Sequence, residues 1–314
     1  MPDAALLEDL APVAERLLER HLGIAKEWFP HTYVPWSRGR DFVADEVWSP
    51  EEFPIDPAVR SALFVNLLTE DNLPYYFDTI DRVFGSRDGG VGRTCIAARD
   101  AWQTWNRRWT AEENRHAIVI RDYLTVTRAL DPVELERARM VQMTTALVPQ
   151  PETVADGLVY VALQELATRI AHRNTGKLLD DQIGLDLMTR VAADENLHYL
   201  FYRDLVTAAL EHSPSEVIEA IERQVRDFEM PGVGIPDFTA HAMAIAKAGI
   251  YDFEIHHEQI LVAVVLRHWK VESITGLTPE ASAARERLLH RIERIGRAAR
   301  RFSSRRAEKV GADA

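Results

Sequence analysis

The sequence predicts an all-α fold, and three observations carry that prediction. Glycine and proline, 15 of each in 314 residues, gather into a few clusters instead of spreading along the chain. Between the clusters, apolar residues recur at intervals of three and four, the period of a helix face. No strict apolar–polar alternation, the mark of a half-buried strand, persists between turn signals.

The opening stretch MPDAALLEDLAPVAERLLERHL is an amphipathic helix; its acidic residues and broken apolar pattern are not those of an export signal. Residues 28–56 form an irregular segment, punctuated by Pro30, Pro35, Pro50 and Pro54 and carrying Trp28, Trp36 and Trp48. From Pro57 to Phe84 the period returns, with Leu63, Leu67, Glu70, Leu73, Phe77 and Ile80 on one face. Gly85 to Gly92 reads as a loop. A long helix follows from Thr94 to Leu130, stopped by Asp131-Pro132, and Pro149-Gln150-Pro151 closes the next one. Two more long helices span Glu152–His172 and Asp180–Glu211, separated by Asn174-Thr175-Gly176. Beyond Ser213-Pro214 come a shorter helix to Glu229, the loop Met230–Pro236, and helical runs ending in an Arg-rich tail at 297–314. No shift in composition divides the chain, so residues 1–314 are read as one domain.

Composition bounds the chemistry. With 46% hydrophobic and 27% charged residues the chain can bury a sizeable core. Thirty-seven Lys and Arg against 49 Asp and Glu leave a net charge of −12, which excludes non-specific attraction to nucleic acid or to an anionic membrane. Cys95 is the only cysteine, so internal disulfides, zinc fingers and cysteine-held iron–sulfur clusters are excluded and a reducing cytoplasmic setting is expected. The longest strongly apolar run, Ile260 to Leu266, falls far short of the roughly 20 residues of a spanning helix.

Two long helices contain Glu-x-x-His: Glu113 with His116 in TAEENRHA, and Glu195 with His198 in AADENLHY. Residues three apart share a helix face, so each pair can present a carboxylate and an imidazole to one point. Both pairs interrupt an apolar stripe. Trp102, Trp105, Trp109, Glu113, His116 and Ile120 make one, and Met188, Val191, Glu195, His198, Tyr202 and Leu205 make the other. Glu70 and Glu165 sit the same way on the helices preceding each pair. Four converging buried carboxylates would destabilise the core unless cations lay between them, and four carboxylates balance two divalent ions. An oxygen-rich shell with two imidazoles suits iron or manganese. This ligand order belongs to ferritin-like di-metal bundles, so a ferritin-like four-helix bundle with additional flanking helices is expected. A third pair, Glu254 with His257, has no partner pair and is read as a chance occurrence, capping or solvated.

WTAEENRH, LQELAT with HRNTG after it, AADENLH, LLTEDNLP and RHWKVESITGLTPEA together resemble the soluble acyl-[acyl-carrier-protein] desaturases, in a mycobacterial or actinobacterial flavour, over residues 6–295. The resemblance implies a centre of two iron ions (Fe2+), with manganese as a possible surrogate. It implies an O2-dependent reaction that places a cis double bond in an acyl chain carried on acyl carrier protein. The electrons come from a ferredoxin or similar donor, and the enzyme is a homodimer. By the same resemblance Asp194 hydrogen-bonds the His116 imidazole, Trp28 continues that path toward the surface, and Thr168 lies on the oxygen-binding side. Thr168 equally suits a helix threonine bonded to its own backbone. Thr79, Ile80, Val83, Gly157 and Leu158 match positions lining the acyl cavity. Ala117 stands where a glycine often follows EENRH, the 85–92 loop is longer than usual, and the segment after His198 lacks a customary glutamate. An acidic carrier requires a local basic face, and Arg287, Arg291 and Arg294 share one side of the last helix, although pairing with Glu286 and Glu293 is an equal account. A di-iron hydroxylase or N-oxygenase uses the same ligands, and an iron store or acyl-carrier-binding scaffold would keep the bundle without the chemistry.

Overall fold

The computed structural model describes residues 2–43, 45–84, 100–146, 150–232 and 234–312, with side chains described only within 5–302. Cys95 and the 85–92 loop fall outside these residues. Among the described residues none is in a strand. The helices are α1 (Pro2–Ile24), α2 (Pro57–Glu70), α3 (Leu73–Phe84), α4 (Ala101–Thr127), α5 (Pro132–Thr145) and α6 (Val154–Leu178). They continue with α7 (Gln182–His212), α8 (Pro214–Arg226), α9 (Phe238–Lys247), α10 (Phe253–Ile255) and α11 (Pro279–Ala312). Helix α10 runs directly into a π-helix over His256–His268.

Helices α2, α4, α6 and α7 pack on one another as the bundle, with α6 against α7 the most extensive contact. Side-chain caps start most of them: Asp56 accepts from Ala58 N, Asp100 from Gln103 N, Asp131 from Val133 N, Thr153 from Asp156 N and Asp181 from Gly184 N. Three short 3-10 turns occupy the irregular segment, which is held to the bundle by Trp48 Nε1 donating to Arg128 O at 2.8 Å.

The expected helix from Pro57 to Phe84 is instead two. Pro74 has no N–H to give the carbonyl of Glu70, and its ring crowds that carbonyl, so the chain turns at Asp71-Asn72 and restarts at Leu73. The break leaves Glu70 in the last turn of α2 and Tyr76 in the first turns of α3, both beside one cavity. Helix α6 runs on past His172 to Leu178, through the Asn-Thr-Gly expected to end it. A Cβ on Gly176 would lie 2.8 Å from Met188 Cβ, so this glycine permits the close approach of α7 and is not a turn.

The core is divided by a polar layer. Trp105 and Trp109 on α4, Leu163 on α6 and Tyr202 and Leu205 on α7 belong to one buried apolar cluster. Ile120 and Tyr123 on α4, Met188 and Val191 on α7, and Leu63 and Leu67 on α2 belong to a second. On both α4 and α7 the Glu-x-x-His lies between the two clusters, so apolar side chains shield it at either end.

Candidate metal centre

All six residues marked by the two Glu-x-x-His pairs and the in-register glutamates come together. His116 and His198 have no exposed surface, Glu165 and Glu195 are 1% exposed, and Glu70 and Glu113 are also buried. Two groups can each offer four ligand atoms within 4.8 Å of one another: Glu70, Glu113, His116 and Glu195, and Glu113, Glu165, Glu195 and His198. Glu113 and Glu195 belong to both, the position of carboxylates that bridge two ions.

His116 Nδ1 lies 3.3 Å from Glu195 Oε1, 3.5 Å from Glu113 Oε2 and 3.6 Å from Glu70 Oε2. His198 Nδ1 lies 2.7 Å from Glu113 Oε1, 3.5 Å from Glu165 Oε2 and 3.7 Å from Glu195 Oε2. Yet Glu113 Oε1, Glu165 Oε2, both oxygens of Glu195, both nitrogens of His116 and His198 Nδ1 make no hydrogen bond of good geometry. All of these but His116 Nε2, which is turned toward Asp194, lie within the two four-residue groups, and so many orphaned polar atoms in a closed core are costly unless cations complete them. The oxygen-rich donor set fits two divalent ions of the iron or manganese kind.

Outer partners leave each terminal carboxylate with one oxygen to spare. Trp109 Nε1 donates to Glu165 Oε1 at 3.1 Å, and His172 Nε2 lies 2.7 Å from Glu70 Oε1. Burial pushes the Glu165 carboxyl well up, with the Glu195 and Glu113 charges adding to it. Burial and the Glu195 charge likewise raise Glu113. For Glu195, burial is outweighed by His116 and His198, which hold it well below the ordinary range. Burial is also outweighed at Glu70, lowered by His116 and His172. Both central imidazoles are raised well above the ordinary value, burial being overcome by the surrounding carboxylates. Without cations, protons on the imidazoles do the neutralising.

Comparison with known proteins gives the family. Residues 3–313 match the fatty acid desaturase family. The chain belongs to that family. DesA1 of Mycobacterium tuberculosis, named an acyl-[acyl-carrier-protein] desaturase, is 40% identical over 298 residues, 92% of this chain and 84% of DesA1. A chloroplastic stearoyl-[acyl-carrier-protein] 9-desaturase of Arabidopsis thaliana is 28% identical over 85% of this chain and 75% of its own. The X-ray structure of DesA2 of M. tuberculosis, named an acyl-ACP desaturase, superposes with a TM-score of 0.67 at 28% identity, covering 89% of this chain and 99% of that one.

Beside the centre of this desaturase lies a narrow, mostly apolar cavity of about 40 Å³. Thr79, Ile80, Val83 and Gly157 line it together with Glu70, Glu113 and Glu165. Leu158 does not. One residue on from Gly157 is a rotation of ~100° around the helix, and Leu158 is buried in the apolar cluster instead. A second cavity of about 130 Å³ between α2, α6 and α9 shares Thr69, Glu70, Thr168 and Pro231 with the first. Thr168 lines both, and its hydroxyl donates to Gln164 O at 3.0 Å, the backbone bond open to any helix threonine.

Trp28 Nε1 donates to Asp194 Oδ2 at 2.7 Å, while that oxygen is 3.6 Å from His116 Nε2, a contact longer than a hydrogen bond. Of the three arginines singled out on α11, Arg287 is exposed and lies 3.6 Å from Glu222 of α8, Arg291 is half-buried, and Arg294 is exposed. None of the three lines either cavity. Glu254 is exposed, but His257 is buried, not solvated; its Nδ1 meets Glu258 at 2.8 Å, and its ring fills the space a Cβ on Gly296 would need.

Three residues at the centre escaped the sequence reading. Glu112 Oε2 lies 2.9 Å from His198 Nε2 and 2.9 Å from His21 Nε2. His172 is the third. Signals for them exist: Glu112 precedes Glu113 as Asp194 precedes Glu195, His172 follows Glu165 and Thr168 by helical spacing, and His21 extends the Leu10, Ala14, Leu17 stripe of α1.

Proposed function

We infer that the protein is an O2-dependent acyl-[acyl-carrier-protein] desaturase acting in fatty acid biosynthesis. Two iron ions would be held by Glu70, Glu113, His116, Glu165, Glu195 and His198, with manganese as a surrogate. The observation that carries this reading is the set of orphaned carboxylate and imidazole atoms facing one another beside an apolar cavity.

The bound metal pair supplies the oxidising power that no side chain has, using O2 at the expense of two C–H bonds. In balance, O2 takes two hydrogens from the chain and two electrons and two protons from outside, giving one double bond and two waters. The protein's own residues do the rest. The apolar cavity, lined by Ile80, Val83 and Gly157 as well as Glu113 and Glu165, would take the part of the acyl chain that lies beside the centre. The two apolar clusters exclude water from the centre. Glu112 holds the His198 imidazole with its Nδ1 toward the carboxylates. The Thr168 hydroxyl, at the junction of the two cavities, is placed to relay a proton once released from Gln164 O.

The electron donor is proposed to be a ferredoxin-like protein and the assembly a homodimer in the cytoplasm, in keeping with the family resemblance. No described helix is long and apolar enough to cross a membrane. Carrier docking is proposed on α11, where Arg287 and Arg294 are exposed members of the basic face and Arg294 is the one tested. Arg294→Glu then raises the KM for acyl carrier substrate more at low salt than at high; an unchanged KM removes this face from consideration.

The deciding experiment is anaerobic iron loading, followed by one turnover on a panel of acyl-carrier thioesters with the products resolved by mass. A product lighter by two hydrogens is expected. A product heavier by one oxygen makes the protein a hydroxylase, and failure to bind iron removes the reading altogether.

A further inference from the structure

Behind each of the two central imidazoles stands a carboxylate that comes from the other helix's motif, hydrogen-bonded in the case of His198 and 3.6 Å away in the case of His116. Glu112, just before Glu113 on α4, reaches His198 of α7, and Asp194, just before Glu195 on α7, faces His116 of α4. Each of these carboxylates is met in turn by a ring N–H from the first 28 residues of the chain. Trp28 serves Asp194, and His21 serves Glu112.

The His21 arm is the tighter. Glu112 Oε2 is shared by His21 Nε2 and His198 Nε2, each at 2.9 Å, and Glu112 Oε1 accepts from Arg108 Nε at 2.6 Å. Arg115 Nη2 waits 3.7 Å from the same Oε1. His21 is 3% exposed, and its ring stands edge-on to Trp105 at 5.0 Å, so packing fixes its orientation. Its Nδ1 is buried with no partner. A core position filled only for packing would favour Leu or Phe, since half of the imidazole's polar capacity goes unmet. The one bond it makes, Nε2 to Glu112, is therefore what the histidine is for.

We propose that His21 is a positioning residue for the metal centre. It pins Glu112 Oε2 as the acceptor for His198 Nε2–H, which keeps the His198 Nδ1 lone pair aimed at Glu113, Glu165 and Glu195. Without it Glu112 is free to turn toward Arg108 and Arg115, and His198 loses its tautomeric lock. The proposal rests on the metal-binding reading above.

The test compares anaerobic Co2+ titrations of wild type, His21→Phe, which keeps a ring on Trp105 but no donor, and His21→Gln, which keeps an N–H donor. Cobalt absorption and thermal stability are followed together. His21→Phe is expected to bind one of the two ions about 10–100-fold more weakly with an altered visible spectrum, the other ion changing little, and His21→Gln to recover most of the loss. Unchanged affinity and spectrum in His21→Phe overturn the proposal. So does equal weakening of both ions alongside a lower melting temperature, which is general loosening. A His21→Phe chain that does not fold also overturns it, because a positioning residue leaves the apoprotein folded. A wild type that binds no cobalt overturns the metal reading instead, so the two failures are distinct.

Discussion

Glu113 and Glu195 each belong to both four-residue groups, whereas Glu70 and Glu165 belong to one apiece. Replacing a shared carboxylate removes a donor from both ions. Glu113→Gln or Glu195→Gln should therefore abolish binding of the pair, while Glu70→Gln leaves one ion, and iron per chain after anaerobic loading reads the difference. Equal losses from all three would mean that no carboxylate bridges. The cavity gives a second prediction at this scale. A Cβ on Gly157 would sit 2.9 Å from Val83 Cγ1 and 3.1 Å from Phe84 Cζ, so Gly157→Ala adds a methyl group to the cavity lining and must displace these two side chains, which also line it. Each methylene denied burial costs about 0.8 kcal/mol, roughly fourfold in binding. Relative kcat/KM should move by about that factor toward acyl chains one or two carbons shorter; an unaltered chain preference would place the chain end elsewhere.

Helices α6 and α7 carry Glu165 and the Glu195–His198 pair, and Gly176 against Met188 sets how closely they pack. Gly176→Ala should separate them and destabilise the protein by about 1–3 kcal/mol, the usual cost of overpacking. Metal affinity should fall with it, because the ligands stand on both helices. A lower melting temperature with unchanged affinity would show that the centre tolerates the shift. The same glycine shows where sequence reading runs out. Asn174-Thr175-Gly176 has the composition of a turn, but a glycine needed for close approach and one needed for a turn look identical until the neighbouring helix is placed. Pro74 was legible in principle, since a proline four residues after Glu70 cannot continue α2, yet the unbroken apolar period from Leu63 to Ile80 concealed the stop. Helix period revealed the six central residues because both members of each Glu-x-x-His pair lie on one stripe. It could not reveal Glu112 or His21, whose roles depend on which residue of another helix they cross to meet. The π-helix at His256–His268 left no trace in the period of its apolar residues.

Across the whole molecule, the charge state of the centre couples metal, protons and stability. In the metal-free protein His116 and His198 are raised above their ordinary values by the carboxylates around them, and Glu165 and Glu113 are raised chiefly by burial. A raised folded pKa contributes stability below the unfolded value and loses it as pH climbs through the folded value, so these four groups destabilise the apoprotein as pH rises. Glu70 and Glu195 are lowered and act the other way, losing their contribution only in acid. Divalent ions need the same imidazoles and carboxylates free of protons, so loading must expel protons, and affinity must rise with pH. Manganese, which fits the donor set without reacting as iron does with O2, is the suitable probe. At a hundredfold excess over Kd each ion adds about 2.7 kcal/mol, and two should raise the melting temperature by on the order of 5–10 °C in a domain of this size. The increment should be largest in mildly alkaline buffer and shrink as the pH falls toward that of a free carboxylate. Titration in buffers of differing protonation enthalpy should also register proton release on binding. A metal-induced increment that is flat with pH, with no protons released, would mean that the imidazoles at the centre are already neutral and that the ions bind without displacing the charges which hold the apoprotein together.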